Sequence, residues 1–277
     1  MEVLYCDNHI IIVNKRPGEI VQGDKTGDRP LSEEVADWLR DTFHKPGNVF
    51  VGVAHRIDRP VGGIVVFART SKALARLNDM FRNGQVHKKY WALTRNLPAE
   101  PEAELRHFIT TVERNNKSYA SDTPRKDAKE ARLRYRVIGH SDRFHLIEVT
   151  LLTGRKHQIR VQLSAVGCPI KGDLKYGDKR SNPDGSISLL AREIEFEHPV
   201  SHRPIHVIAP LPDTDPSWAA AAPEDAAPAY DRYEEPREVP DQDRYEQADE
   251  TPERRSQRAP ERRGRQSGRR GGYTPKH

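Results

Sequence analysis

The chain has 277 residues, with 46 basic and 41 acidic side chains, enough for one large domain or two small ones. No apolar run approaches the ~18 residues of a membrane-spanning helix. The two cysteines, Cys6 and Cys168, stand far apart and outside any His-Cys cluster, which argues against a disulfide framework and against a metal site. Charge is segregated: residues 213–253 carry 14 acidic and 3 basic side chains, residues 254–277 carry 9 basic and 1 acidic, and the first 212 residues keep a net +8. That surplus suits contact with nucleic acid.

Met1–Tyr5 opens as a strand rather than a signal sequence, so a soluble protein of a reducing, cytoplasmic compartment is expected. Short β runs at Val3–Cys6 and Ile10–Val13 flank an Asp7-Asn8-His9 turn. Residues 31–43 read as a helix with Ser32 as N-cap and Val35, Trp38, Leu39 and Phe43 on one face. Gly63–Ala68 reads as a buried strand. Ser71 then caps a helix striped by Leu74, Leu77 and Phe81 and ended by Asn83-Gly84. Further strands are expected at Lys89–Thr94, Phe108–Val112, Ala131–Ile138, Phe144–Leu152, Ser188–Phe196 and Pro204–Ile208, with a helix from His157 to Val166. Strands outnumber helices by more than two to one, and short turns join most of them. The pattern is α+β, a mixed, largely antiparallel sheet with a few flanking helices. No GxGxxG or Walker A pattern occurs, so no nucleotide cofactor is signalled.

From Pro212 onward the chain holds 9 of its 21 prolines and few aliphatic residues. Residues 1–211 are therefore expected to form the folded domain and 212–277 a disordered tail. Asp-Arg-Tyr-Glu recurs at 231–234 and 243–246. The Arg/Gly end, Arg262-Arg263-Gly264-Arg265 and Arg269-Arg270-Gly271-Gly272, suits RNA phosphates and bases, or serves only as a solvating tail.

The chemistry concentrates at His55-Arg56-Ile57-Asp58-Arg59-Pro60. A carboxylate stands between two arginines in a turn that runs into a buried strand. Exposed ion pairs add only about 0–1 kcal/mol, which is weak reason for such crowding. A positioned Asp among cations suits attack on, or stabilisation of, an electron-poor carbon in a phosphate-bearing substrate.

Three further blocks complete a pattern. They are Lys88-Lys89-Tyr90-Trp91-Ala92-Leu93, Thr153-Gly154-Arg155-Lys156-His157-Gln158-Ile159-Arg160-Val161-Gln162-Leu163, and Gly167-Cys168-Pro169-Ile170-Lys171-Gly172-Asp173-Leu174-Lys175-Tyr176-Gly177. With the opening Asp7–Gly18, their order and content closely resemble the RluA family of RNA pseudouridine synthases over residues 3 to about 210. The resemblance implies a pseudouridine synthase fold, a long bent sheet with a central RNA-binding cleft, in the minimal form without an S4 domain. It implies an enzyme that isomerises uridine in ribosomal or transfer RNA by glycosidic cleavage, base rotation and rejoining through C5. No metal or cofactor is required, and a monomer is expected.

By the same resemblance Asp58 is the nucleophile or the base that starts cleavage. Tyr90 stacks on the flipped uracil and offers its hydroxyl to the C5 proton, and Arg160 pairs with Asp58. Arg56 fills the gap the uridine leaves. Arg59, Lys89, Arg155 and Lys156 are expected to contact RNA. His55 is read as structural, bonding backbone.

Two positions depart from the family. Gly62 stands where a Ser is usual, which is expected to loosen the backbone, and Leu190 stands where a His is usual. They motivate one competing reading, a non-catalytic RNA-binding or assembly factor on the same scaffold. Intact Asp58, Tyr90 and Arg160 oppose it.

Overall fold

A computed structural model of the protein describes residues 1–224 and 226. The Asp-Arg-Tyr-Glu repeats and the Arg/Gly end lie outside the described residues. In chain order the elements are β1 (Glu2–Cys6), β2 (Ile10–Lys15), α1 (Leu31–Thr42), β3 (Gly52–Val53), β4 (Gly62–Ala68), α2 (Ser71–Arg82), β5 (His87–Thr94) and β6 (Glu102–Val112). There follow β7 (Lys117–Ser121), β8 (Lys129–His140), β9 (His145–Leu151), α3 (Gln158–Ala165), β10 (Leu189–Glu197), β11 (Pro204–Ile208) and α4 (Ser217–Ala221). Among the described residues the strands form one open sheet in the order β1-β2-β4-β10-β5-β9-β8-β6-β7, with β11 on β10 and β3 on β4. The pairings are antiparallel except β4–β10, which is parallel at Gly62/Leu190 and Gly63/Ala191. The expected mixed, mostly antiparallel α+β architecture is what forms.

Strand alternation sorts the core into two faces. Ile64, Val66 and Ala68 of β4 pack in one cluster with Ala73 and Leu77 of α2 and with Ile159 and Leu163 of α3. Val65 and Phe67 pack against Leu31, Val35 and Leu39 of α1. In β5, Tyr90 and Ala92 join the α2/α3 side, while Trp91 and Leu93 join Trp218 and Ala221 of α4. Because β4 is buried along its whole length, it reads as a continuous apolar run.

Several local expectations shift. Thr70, not Ser71, caps α2, its Oγ1 accepting from Ala73 N at 3.1 Å. α1 starts after Pro30 with no side-chain cap. Its first amides instead donate to backbone carbonyls, Leu31 N to Ile20 O and Ser32 N to Val21 O, which leaves Ser32 no capping role. β6 begins at Glu102, because Ala103 and Leu105 tuck inward while Glu102, Glu104 and Arg106 face water. β7 was not anticipated. Asn115-Asn116 is its turn signal, with Asn116 left-handed at φ 49°.

Ordered structure also runs on past residue 212. Trp218 is 3% exposed and packs with Trp91, Leu93, Phe144, Leu146 and Leu190, while Asp215 pairs with Lys171 at 2.7 Å. The composition of 213–224 is tail-like, yet one buried Trp and one ion pair dock it.

The two departures are direct neighbours across the parallel pair. Gly62 is buried inside the ladder, paired with Leu190. Leu190 is 2% exposed and belongs to the Trp218 cluster. The demanding glycine is Gly63. Its φ is +106°, and a Cβ there would lie 2.3 Å from Ala191 O.

Gly63→Ala is expected to destabilise by about 3 kcal/mol or more, from the unfavourable φ plus the clash. Gly62→Ala, whose Cβ would meet Pro17 Cδ at 3.3 Å, should cost about 1–2 kcal/mol as mild overpacking. Urea denaturation of both variants measures the order, and equal costs would refute it. Trp218→Ala should lower stability by about 3–5 kcal/mol, seen as a fall in Tm of roughly 6–20 °C for a domain of this size.

Candidate active site

The Asp58 turn lies between β3 and β4 and is fixed by backbone. Val61 N donates to Asp58 O at 3.0 Å, Ile187 N to Pro60 O at 3.1 Å and Gly18 N to Arg59 O at 2.8 Å. Lys15 completes the frame from the end of β2. It is 1% exposed, and its Nζ donates to Arg16 O at 2.9 Å, Arg59 O at 3.1 Å and Val61 O at 2.7 Å. Burial pulls its pKa down to about 8, so it stays cationic at neutral pH. Its three bonds go to carbonyls rather than carboxylates, which leaves Asp58 free for other partners.

The main partner is Arg160, on the second residue pair of α3. Its Nη1 donates to Asp58 Oδ2 at 2.9 Å. The other side of the guanidinium, Nε and Nη2, donates to Asp173 Oδ2 at 2.7 Å and Oδ1 at 2.9 Å. Asp173 is 1% exposed. Burial works against the charge on Arg160, but Asp173 and Asp58 outweigh it and raise its pKa. One arginine is thus oriented from behind by a bidentate carboxylate and presents its remaining nitrogen to Asp58.

His157 approaches the same oxygen, with Nε2 3.7 Å from Asp58 Oδ2, too far for a direct hydrogen bond. Its Nδ1 lies 2.7 Å from the Tyr176 hydroxyl, which itself accepts from Ser118 N at 2.8 Å. The ring is thus held between the Tyr176 hydroxyl and Asp58, the direction of the Nδ1 contact following from the ring's tautomer. Burial lowers the His157 pKa to about 4, so the ring is neutral at pH 7. The residue adopts a left-handed backbone, φ 55°, at the entrance to α3. Such outliers persist only when the surroundings enforce them.

Tyr90 is 8% exposed on the α2/α3 side of β5. Burial and the nearby charge of Asp58 both raise its pKa, so its phenol is neutral. His55 lies behind this region, its Nε2 accepting from Val66 N at 2.9 Å and its ring tilted on Phe81 at 4.6 Å. It bonds backbone, as the sequence suggested, but in β4 rather than in the turn.

The structure gathers Asp58, Tyr90 and Arg160 in one place. Arg56 is exposed two residues before Asp58, with no side-chain partner among the described residues. Arg155 and Lys156 are exposed ahead of α3, Arg155 Nε donating to Glu130 O at 2.9 Å and Lys156 pairing with Glu113 at 3.4 Å. Arg59 turns to Asp28 at 2.7 Å. Lys89 is placed apart from the others. It follows Trp91 to the opposite side of β5 and pairs with Glu193 at 3.0 Å, because adjacent strand residues point to opposite faces. Lys15, Asp173 and Tyr176 were not singled out from sequence. All three stand inside quoted blocks, but no spacing rule couples Arg160 to a residue across the reversal at Gly167.

The chain is similar to known proteins over most of its length. Residues 9–165 match the family described as RNA pseudouridylate synthase. A ribosomal large subunit pseudouridine synthase D of Xylella fastidiosa is 31% identical over 84% of this chain and 72% of its own length. An uncharacterised RNA pseudouridine synthase of Bacillus subtilis is 30% identical over 77% of this chain and 70% of its own. A tRNA pseudouridine synthase C of Pectobacterium carotovorum is 29% identical over 74% of this chain and 57% of its own. Among solved structures, human RNA pseudouridylate synthase domain containing 4 shares the fold, with a TM-score of 0.64 and 24% identity over 77% of this chain and 89% of that one.

Asp173→Asn leaves one fork of Arg160 without an anion and is expected to cost about 3 kcal/mol, as for other broken buried pairs. Chemical denaturation checks it, and a loss below about 1 kcal/mol would mean that Asp173 does not anchor the guanidinium. His55 gives a pH signature. Burial, aided by Lys88, pulls its pKa from 6.5 to about 3. Between these values the unfolded chain binds the proton and the folded chain does not, so stability falls as pH falls through that window. The Tm of wild type should decline below about pH 6.5, and His55→Gln, which keeps an acceptor for Val66 N, should show a shallower decline. Parallel curves would refute the assignment.

Proposed function

This chain belongs to the RNA pseudouridylate synthase family and is an RNA pseudouridine synthase, and we propose that Asp58, Tyr90 and Arg160 are its catalytic set, acting on uridines of ribosomal or transfer RNA. The observation that carries the assignment is the Asp58–Arg160–Asp173 bridge. It aims one carboxylate, ordered but still a quarter exposed, into the space beside Tyr90.

As a nucleophile, an Asp58 oxygen attacks C1′ while the N1–C1′ bond breaks and its electron pair leaves on uracil. As a base, Asp58 takes a ribose proton that allows the same bond to break. Either route removes the negative charge from Asp58 in the first step. Burial, together with the charge of Asp58, raises the Tyr90 pKa, so the phenol enters the reaction neutral. Meanwhile the ring face holds the free uracil without fixing its rotation. On the nucleophilic route C5 of the uracil anion then attacks C1′ as the Asp58–C1′ bond breaks and frees the carboxylate. On the base route C5 joins C1′ as Asp58 returns the proton to the ribose. In both, C5, now tetrahedral, passes its proton to the Tyr90 hydroxyl while N1 takes one up. Arg160 steadies Asp58 in each charged state.

Arg56, ahead of the turn, is placed to stack in the gap left by the flipped uridine, and Arg155 and Lys156 to meet phosphate. Among the described residues no helix is long and apolar enough to cross a membrane. A monomer working in the cytoplasm without a nucleotide cofactor fits the reading.

Deletion of the gene should abolish pseudouridine at one or a few positions of ribosomal or transfer RNA, and wild type but not Asp58→Asn should restore them. Restoration by Asp58→Asn would overturn the catalytic role. In vitro, Asp58→Asn should lose roughly 10³-fold or more in kcat, and Tyr90→Phe, which keeps the ring, about 10²-fold or more with RNA affinity unchanged.

A further inference from the structure

Lys88 is a partly buried cation with no anion beside it among the described residues. It lies on the Tyr90 side of β5, two residues earlier in the strand, while Lys89 between them turns away to Glu193. Its Nζ sits 5.4 Å over the Phe81 ring and about 4.0 Å from where a side chain on Gly154 would begin. It therefore stands between the segment carrying His55 and the turn that leads into α3. No carboxylate or hydrogen-bond acceptor pairs with it among the described residues. By contrast Lys15 has three carbonyls, Arg160 two carboxylates and Lys171 an amide oxygen and Asp215. Burial alone lowers the Lys88 pKa. Its positive charge also helps keep His55 neutral, so no second titrating group compensates it.

A partly desolvated ammonium without an anion is a ready partner for one, and the family chemistry brings a polyanion to the Tyr90 side of the sheet. We infer that Lys88 is a substrate-binding residue that receives a backbone phosphate of the nucleotide whose base lies on Tyr90. The inference rests on the reading that Tyr90 receives the uracil. Positions two apart in a strand are separated by about 7 Å, so a ring on Tyr90 and a phosphate on Lys88 belong to one nucleotide or its immediate neighbour. The Phe81 ring beneath the ammonium offers a cation–π contact that holds the side chain before RNA arrives.

Lys88→Met and Lys88→Arg are compared with wild type for binding to unmodified large-subunit ribosomal RNA and transfer RNA transcripts across a salt series, and for single-turnover pseudouridine formation. Lys88→Met should weaken binding about tenfold or more and make the plot of log Kd against log salt shallower by about 0.7, the loss of one phosphate contact to a single strand. The chemical rate at saturating enzyme should be unchanged, and Lys88→Arg should keep the wild-type slope. Thermal stability of Lys88→Met should equal or exceed wild type, since an uncompensated charge has been removed. A fall in Tm with unaltered salt slope would make Lys88 structural and overturn the inference. A fall in rate with unaltered slope would place Lys88 against the departing uracil anion and overturn it equally. Asp58→Asn measured alongside separates the two levels. It should bind with the wild-type slope and form no product, and turnover by that variant would refute the catalytic reading, whereas the Lys88 result is read on binding.

Discussion

Everything at the site depends on one buried guanidinium that has to satisfy two carboxylates. Arg160 is 5% exposed, and a charge so far from water is tolerable only when its donors are matched by anions in good geometry. Asp173 takes the Nε–Nη2 edge and Asp58 the remaining Nη1. The asymmetry matters. A bidentate partner at 1% exposure is part of the protein's framework, whereas the singly bonded partner keeps an open side. The same cation thus has a structural anion and a reactive one, and the fold decides which is which by burial.

That division constrains the chain around it. α3 has to deliver Arg160 while its first turn stays close to Asp58, which the left-handed backbone at His157 achieves. The chain then has to reverse through Gly167 to return Asp173 to the same guanidinium. From there Lys171, Ser188 and Leu93 exchange backbone bonds that seat the stretch before β10. β10 in turn makes the parallel contact with β4, and Ile187 N reaches Pro60 O beside Asp58. Tyr176 closes the loop from the other side, its hydroxyl joining β7 to His157 and its ring lying 5.0 Å from the Arg160 guanidinium.

Much of this was legible from residues alone, and the limits follow the physics. Apolar runs such as Ile10–Val13 and Gly63–Ala68 announce strands because burial on both faces leaves no other use for them. Asp58 was legible because cations crowd it, and Tyr90 and Arg160 because they sit in recognisable blocks. What stayed hidden depends on contacts between distant segments. Nothing in the spacing of Arg160 and Asp173 reveals their pairing, and nothing local shows that Lys15 points at carbonyls 44 and 46 residues away. The side of β5 that each lysine occupies was legible without any long-range contact. Strand alternation alone puts Lys88, not Lys89, on the side of Tyr90, and the period-two rule needed no structure to apply.

The departures at Gly62 and Leu190 acquire a common explanation once they are seen as partners across the parallel contact. A polar pair there would face the sheet side on which α4 docks, and would need hydrogen-bond partners in a place lined by Trp91, Leu93, Phe144 and Trp218. A buried polar group left unmatched costs more than an apolar replacement gains or loses. With Leu190 in that position the surface becomes apolar and continuous, which is the condition for burying Trp218. The residue change inside the sheet and the ordered segment beyond residue 212 are therefore two parts of one packing solution. The Trp218 cluster is separate from the one that holds Tyr90 on the other side of β5.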